Sequence, residues 1–169
     1  MREIAQLLND MRAAGVITNY ALFGAIAQMR YTAAVATLDA DFLIAVPSPD
    51  RLDLLAPIYA FCQRRGLEPE GETIRVGVWP VQFVPVFSHL TTAAMDAADV
   101  ADFEGVPLRV VRADFLAVIA LSTGRGKDHA RVLALLESGH VTRDDIAQLA
   151  DRFGLGSVWT RFEERFLHG

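Results

Sequence analysis

Two aspartates, Asp39 and Asp41, stand one residue apart in the stretch Thr37-Leu38-Asp39-Ala40-Asp41, downstream of a Gly24-Ala25 pair. On a β-strand, residues i and i+2 point to the same face, so the two carboxylates would lie side by side. Adjacent carboxylates repel unless a cation sits between them. Mg²⁺ suits such donors, because it takes hard oxygen ligands and is held by one or two carboxylates together with substrate phosphates. Gly24 allows a tight turn from strand to helix, and the helix opening there would offer free backbone N–H groups to a phosphate. The chemistry expected is the handling of a phosphorylated ligand with help from a metal.

A second group of chemistry-bearing residues lies later. Residues 109–131 hold five basic residues (Arg109, Arg112, Arg125, Lys127, Arg131) against two acidic ones, Asp114 and Asp128. An anionic ligand could be held there although the whole chain has a formal charge of −5. Lys127 is the only lysine in the chain. The run Ser122 to Lys127 is not a P-loop, since Leu121 replaces the first glycine and Asp128 the final Ser or Thr.

Plainer roles exist for each. Asp39 and Asp41 could be a solvent-facing strand end, Thr37 could fix backbone at the strand start, and Gln82 could be a polar residue at a sheet rim. Lys127 and Asp128 could simply be the first turn of a helix, where an aspartate favours the dipole. Cys62, in an apolar helical stripe, reads as inert core. Trp159, Phe162 and Phe166, at helical spacing, read as packing and not as base-stacking platforms.

The elements that must position these residues follow from periodicity. Ile4, Leu7, Leu8 and Met11 predict an amphipathic helix over 2–14, stopped by Gly15. Tyr20–Phe23, Gly24 and Ala25–Arg30 form a strand–turn–helix corner. Leu38–Val46 predicts a strand ending at Pro47-Ser48-Pro49-Asp50, and Leu52–Arg65 a helix. Two β runs, Thr73–Val78 and Val81–Val86, are separated by Trp79-Pro80. Residues 91–100 predict a helix and Val106–Val111 a strand. From Asp114 the chain is helical, over Phe115–Leu121, Lys127–Leu136, Asp144–Phe153 and Ser157–Phe166. The class is α/β or α+β, a mixed sheet flanked by helices, followed by a helical C-terminal part. One domain spans 1–169, with a sheet-bearing core over 1–111 and helices over 112–169.

Composition narrows the function. With 169 residues, 52% hydrophobic and 22% charged, the chain is globular and of one-domain size. The negative charge argues against a protein that coats nucleic acid. No apolar run approaches the ~18 residues of a membrane span, and the start Met1-Arg2-Glu3 is no signal peptide, so a cytoplasmic location is expected. One cysteine excludes an internal disulfide framework, and His89, His129, His140 and His168 are too scattered to suggest a metal cluster.

The Gly24 turn followed by the Asp39-x-Asp41 strand resembles the nucleotidyltransferase superfamily that includes DNA polymerase β and the aminoglycoside nucleotidyltransferases. Its signature is Gly-Gly or Gly-Ser at a strand–helix turn, then a strand bearing Asp-x-Asp. More narrowly, Thr37 to Asp41, then Arg125-Gly126-Lys127-Asp128, then Gly154-Leu155, Trp159 and Phe162, are similar to small AbiEii-type, toxin-like members. The resemblance implies an Mg²⁺-dependent transfer of a nucleoside monophosphate from an NTP to an acceptor hydroxyl on tRNA, a protein or a small molecule. It implies metal ligation by Asp39 and Asp41, with a two-metal site as one option. It further implies nucleotide contacts from Gly24, Ala25, Thr37, Gln82 and Arg125, Lys127 near the triphosphate as a point charge beside Arg125 or Arg131, Asp128 orienting that lysine or serving as an acid–base group, and an antitoxin partner. Two residues depart from the pattern. Gln82 stands where the family has a third carboxylate, and an amide cannot act as a base. Ala25 replaces the second small residue of the turn. A catalytically degenerate fold that binds nucleotide or a protein partner is the alternative.

Overall fold

The computed structural model describes residues 1–33, 37, 39–50 and 52–167, so Leu38 of the expected strand and His168 lie outside the described residues. The chain opens with α1 (Arg2–Ala13), whose Ile4, Leu7, Leu8 and Met11 are buried, as their three- and four-residue spacing requires. Next come β1 (Asn19–Phe23) and the short α2 (Gly24–Gln28), the corner expected from the sequence. β2 (Ala40–Ala45), α3 (Ala56–Gln63), β3 (Pro69–Glu70), β4 (Thr73–Val76), β5 (Trp79–Pro85) and α4 (His89–Asp96) follow. β6 (Asp99–Phe103) and β7 (Val106–Val110) precede α5 (Ala113–Thr123), α6 (Gly126–Glu137), α7 (Arg143–Arg152) and α8 (Gly156–Phe166). Among the described residues no helix is long and apolar enough to cross a membrane.

Seven strands form one mixed sheet in the order β3-β4-β5-β2-β1-β7-β6. β1 and β2 are antiparallel, β2 runs parallel to β5, and β1 runs parallel to β7. Tyr20, Ala21 and Leu22 on β1, and Phe42, Leu43 and Ile44 on β2, are buried in succession. Successive strand residues face opposite sides, so both faces of these central strands are covered. On one face the Tyr20 hydroxyl donates to Asn9 Oδ1 of α1 at 2.7 Å. α4 packs against β1 and β2, while α5 packs on α2 and α4 and carries α6, α7 and α8. Trp159 and Phe162 of α8 are buried, and His129 of α6 packs on Phe162 and Phe166 with ring centroids 5.7 and 5.1 Å apart. These aromatics are packing, and they hold the start of α6 in place.

The structure departs from the sequence-based expectations in several places, among them the short strand β3, which no pattern announced. The turn between β4 and β5 is Gly77-Val78, with Val76 paired to Trp79, so Trp79-Pro80 belongs to the strand. The helix expected over 91–100 ends at Asp96, and Asp99–Phe103 is a strand paired antiparallel to β7. The turn joining them, Glu104-Gly105, has φ of +55° and +82°, the positive values that a two-residue hairpin turn requires. An edge strand pairs on one side only and carries little apolar pattern, so β6 left no clear signal. The helix expected from Leu52 begins only at Ala56, where Asp53 Oδ1 accepts from the N–H groups of Leu55 and Ala56 and Pro57 sits in the first turn. Finally, β2 begins at Ala40, which leaves Asp39 just outside the strand.

Candidate active site

β1 ends at Phe23 and the chain turns at once into α2, with Gly24 at φ +68°. A Cβ built on Gly24 would lie 2.7 Å from Asp41 Oδ2, so only glycine lets the turn and the carboxylate share this space. The sheet register places three residues in a row here: Phe23 on β1 opposite Asp41 on β2, and Asp41 beside Gln82 on β5. Gln82 therefore does occupy the neighbouring-strand position inferred for it. Immediately before β2, the Thr37 hydroxyl donates to the Asp39 carbonyl at 3.2 Å, which fixes the backbone that carries both aspartates.

The opposite wall comes from α5 and the start of α6. Asp128 is only 1% exposed. Both of its oxygens are bonded, Oδ2 by Arg125 Nε at 2.7 Å and Oδ1 by an Arg131 guanidinium nitrogen at 3.1 Å. A buried carboxylate is stable only with such partners, and in return it fixes two guanidinium groups. Leu116, Ile119, Ala120 and Thr123 of α5 complete this wall.

Together these residues enclose a cleft of about 210 Å³, lined among others by Gly24, Gln28, Asp41, Gln82, Arg125, Asp128 and Arg131. Burial pushes the Asp41 carboxyl above its ordinary pKa, and the nearby Asp39 charge adds to this, against opposing pulls from Arg131 and Lys127. Asp39 and Lys127 thus act on Asp41 through their fields without lining the cleft. Lys127 is exposed. Ala25 is buried in the interior and gives the site no side chain. A larger cavity of about 850 Å³ beside α1 and the β4–β5 turn includes none of the candidate residues.

Sequence reading missed Gln28. Its side chain is 98% buried and lines the cleft. The signal was a lone polar residue in the apolar run Gly24–Met29. Lining the cleft, it can present an amide N–H or oxygen to a ligand.

The cleft combines a half-buried carboxylate, two neutral amides and two anchored guanidinium groups, a set suited to a phosphorylated ligand. Two carboxylates and an amide oxygen are hard donors that Mg²⁺ accepts. Among the described residues there is no group of three or more His, Cys, Asp or Glu side chains placed to hold a metal.

No protein-family model matches the sequence, and no curated protein matches it. Solved structures do match. An antigenic nucleotidyltransferase-like protein from Paracoccidioides brasiliensis aligns over 93% of this chain and 90% of its own, with a TM-score of 0.56 at 11% identity. The antibiotic-resistance factor ANT(2'')-Ia in solution aligns over 100% of both chains, with a TM-score of 0.52 at 12% identity. The same factor in complex with adenylyl-2''-tobramycin aligns over 96% of each chain, with a TM-score of 0.50 at 10% identity. At such identities the likeness speaks for architecture alone. A seven-stranded mixed sheet flanked by helices agrees with it, and this chain has a nucleotidyltransferase-like fold.

Proposed function

We propose that the chain transfers a nucleoside monophosphate from an NTP to an acceptor, releasing pyrophosphate, at the cleft between Asp41 and the Asp128-anchored arginines. One observation carries this: an Asp41 carboxylate pressed against the Gly24 turn faces two guanidinium groups fixed by a single buried aspartate. Fold likeness supports it, since ANT(2'')-Ia has been captured with adenylyl-2''-tobramycin.

Asp39 and Asp41 would hold Mg²⁺, with the Gln82 amide oxygen as a neutral third donor. When bound, Mg²⁺ neutralises phosphate charge and stabilises the charge that develops on displacement at the α-phosphorus. The donor set suits one ion; a second would have to take its ligands largely from the substrate. Arg125 and Arg131, held rigid by Asp128, would bind the β- and γ-phosphates, and Lys127 would add its charge from the rim. Positioning and charge neutralisation then supply most of the rate enhancement. Asp128 acts through the two arginines and is a positioning residue. Thr37 acts through the Asp39 backbone. The cleft takes the phosphate end, and the nucleoside lies outside it.

The narrower AbiEii-type assignment, a toxin with an antitoxin partner acting in the cytoplasm on tRNA, a protein or a small molecule, belongs to the same proposal. Growth arrest on induction, lost with Asp41→Asn, supports it; growth unaffected by the active protein removes it. A second reading, a catalytically silent fold that binds nucleotide or a partner, is favoured by the neutral Gln82 beside Asp41.

The deciding experiment is calorimetric titration of each NTP with Mg²⁺ or with EDTA, on the wild type and on Asp39→Asn/Asp41→Asn. It is paired with pyrophosphate release from the same samples. Mg²⁺-dependent binding and release, both lost in the double variant, are expected. Binding without release selects the silent fold, and no binding under any condition removes both.

A further inference from the structure

We infer that the acceptor in this cleft attacks through a group that is already ionised, a carboxylate or a phosphate monoester, and not through a hydroxyl. The inference rests on the nucleotidyl-transfer proposal above and names its acceptor class. A hydroxyl must lose its proton as it attacks, and a positioned base is worth about 10²–10⁴-fold in rate. The cleft offers no such base among the described residues. Its lining carboxylates are Asp41, committed to the metal position, and Asp128, with both oxygens bonded to arginines. No described histidine lines it. Gln82, directly beside Asp41 in the sheet, lines the cleft, and its amide cannot take a proton.

What the cleft provides instead is donors. Gln28, buried, and Gln82 line the same cleft as Gly24 and Asp41. Each can donate N–H to an oxyanion, while neither needs to accept a proton from it. In the step itself, an acceptor oxygen forms the new bond to the α-phosphorus. The bond from that phosphorus to the bridging oxygen breaks, and pyrophosphate leaves with the electron pair. A carboxylate yields an acyl nucleotide and a phosphate monoester yields a diphosphate linkage. No proton is released by the acceptor in either case.

Matched acceptors test this: acetate against ethanol, and methyl phosphate against methanol, with wild-type protein, Mg²⁺ and each α-labelled NTP. The anion of each pair is expected to stimulate pyrophosphate release about 100-fold more than its alcohol. Hydroxylamine converts the product from acetate to a hydroxamate and leaves the product from methyl phosphate intact, which separates the two sources. Gln82→Glu should narrow the gap by raising the alcohol rate, and Gln28→Leu should raise the KM of the anion. Equal or faster transfer to the alcohols overturns the inference and leaves nucleotidyl transfer standing. NTP binding with no stimulation by either class also overturns it. Absence of Mg²⁺-dependent NTP binding removes the nucleotidyl-transfer proposal itself.

Discussion

Gly24 has no side chain where the Asp41 carboxylate lies: a Cβ there would sit 2.7 Å from Oδ2, and the residue holds φ +68°. Gly24→Ala therefore meets both a steric and a conformational penalty. A non-glycine residue held in this region costs about 1–3 kcal/mol before any clash is counted. Displacing Asp41 should also remove metal-dependent NTP binding. Urea unfolding and calorimetry on Gly24→Ala check this; wild-type stability with wild-type NTP affinity would show that the turn does not shape the site.

Asp41 itself opposes stability for the sake of the site. Burial and the Asp39 charge raise its pKa in the folded protein, so folding disfavours its ionised form. Stability linked to the neutral carboxyl is fully present below the unfolded value and is lost as pH rises through the folded one. Asp41→Asn should therefore raise Tm at neutral pH, with the gain shrinking as pH falls into the acid range, while NTP binding is lost. Melting curves across pH measure this. A lower Tm at neutral pH would mean that the attraction of Arg131 and Lys127 outweighs burial.

Asp128 makes the opposite contribution. It is buried, and it bonds Arg125 and Arg131 at once. Asp128→Asn keeps the shape but leaves two guanidinium groups without their anion, a loss of about 1–3 kcal/mol. Arg125, more than half exposed, should be removable with little effect on stability and a clear loss of NTP affinity. Unfolding curves and NTP titrations on the two variants separate the roles. Equal destabilisation by Arg125→Ala would show that the arginine serves the fold and not the ligand.

The parts of this protein legible in the sequence are those with a strong period or a glycine at a forced turn. The α1 stripe, the β1–Gly24–α2 corner and the helices after Asp114 all stood where periodicity placed them. The resemblance carried by Asp39-x-Asp41 also put Gln82 on the strand beside Asp41, and the register agrees. β6 was missed because an edge strand with Asp99 and Asp102 alternates too weakly to be told from the end of a helix. Asp128 was read as an acid–base candidate because sequence spacing cannot show that both its oxygens are consumed by arginines. Gln28 stayed hidden because a single glutamine on a short helix carries no direction until the fold shows that it faces the cleft.

Gln82 gives the sharpest test of how far the metal position has been weakened. It lies beside Asp41 in the parallel ladder, and a carboxylate there would add a third charge to Asp39 and Asp41. Like charges brought together without a cation repel, so Gln82→Glu should lower Tm in EDTA. With Mg²⁺ present the third charge becomes a ligand, and affinity for the ion should rise by about tenfold, roughly 1.4 kcal/mol. Melting curves in EDTA and in Mg²⁺, with Mg²⁺ titration calorimetry, read both signs from one variant. A variant destabilised equally with and without Mg²⁺ would show that Gln82 does not face the ion, and Asp39 and Asp41 would then have to hold it without help from β5.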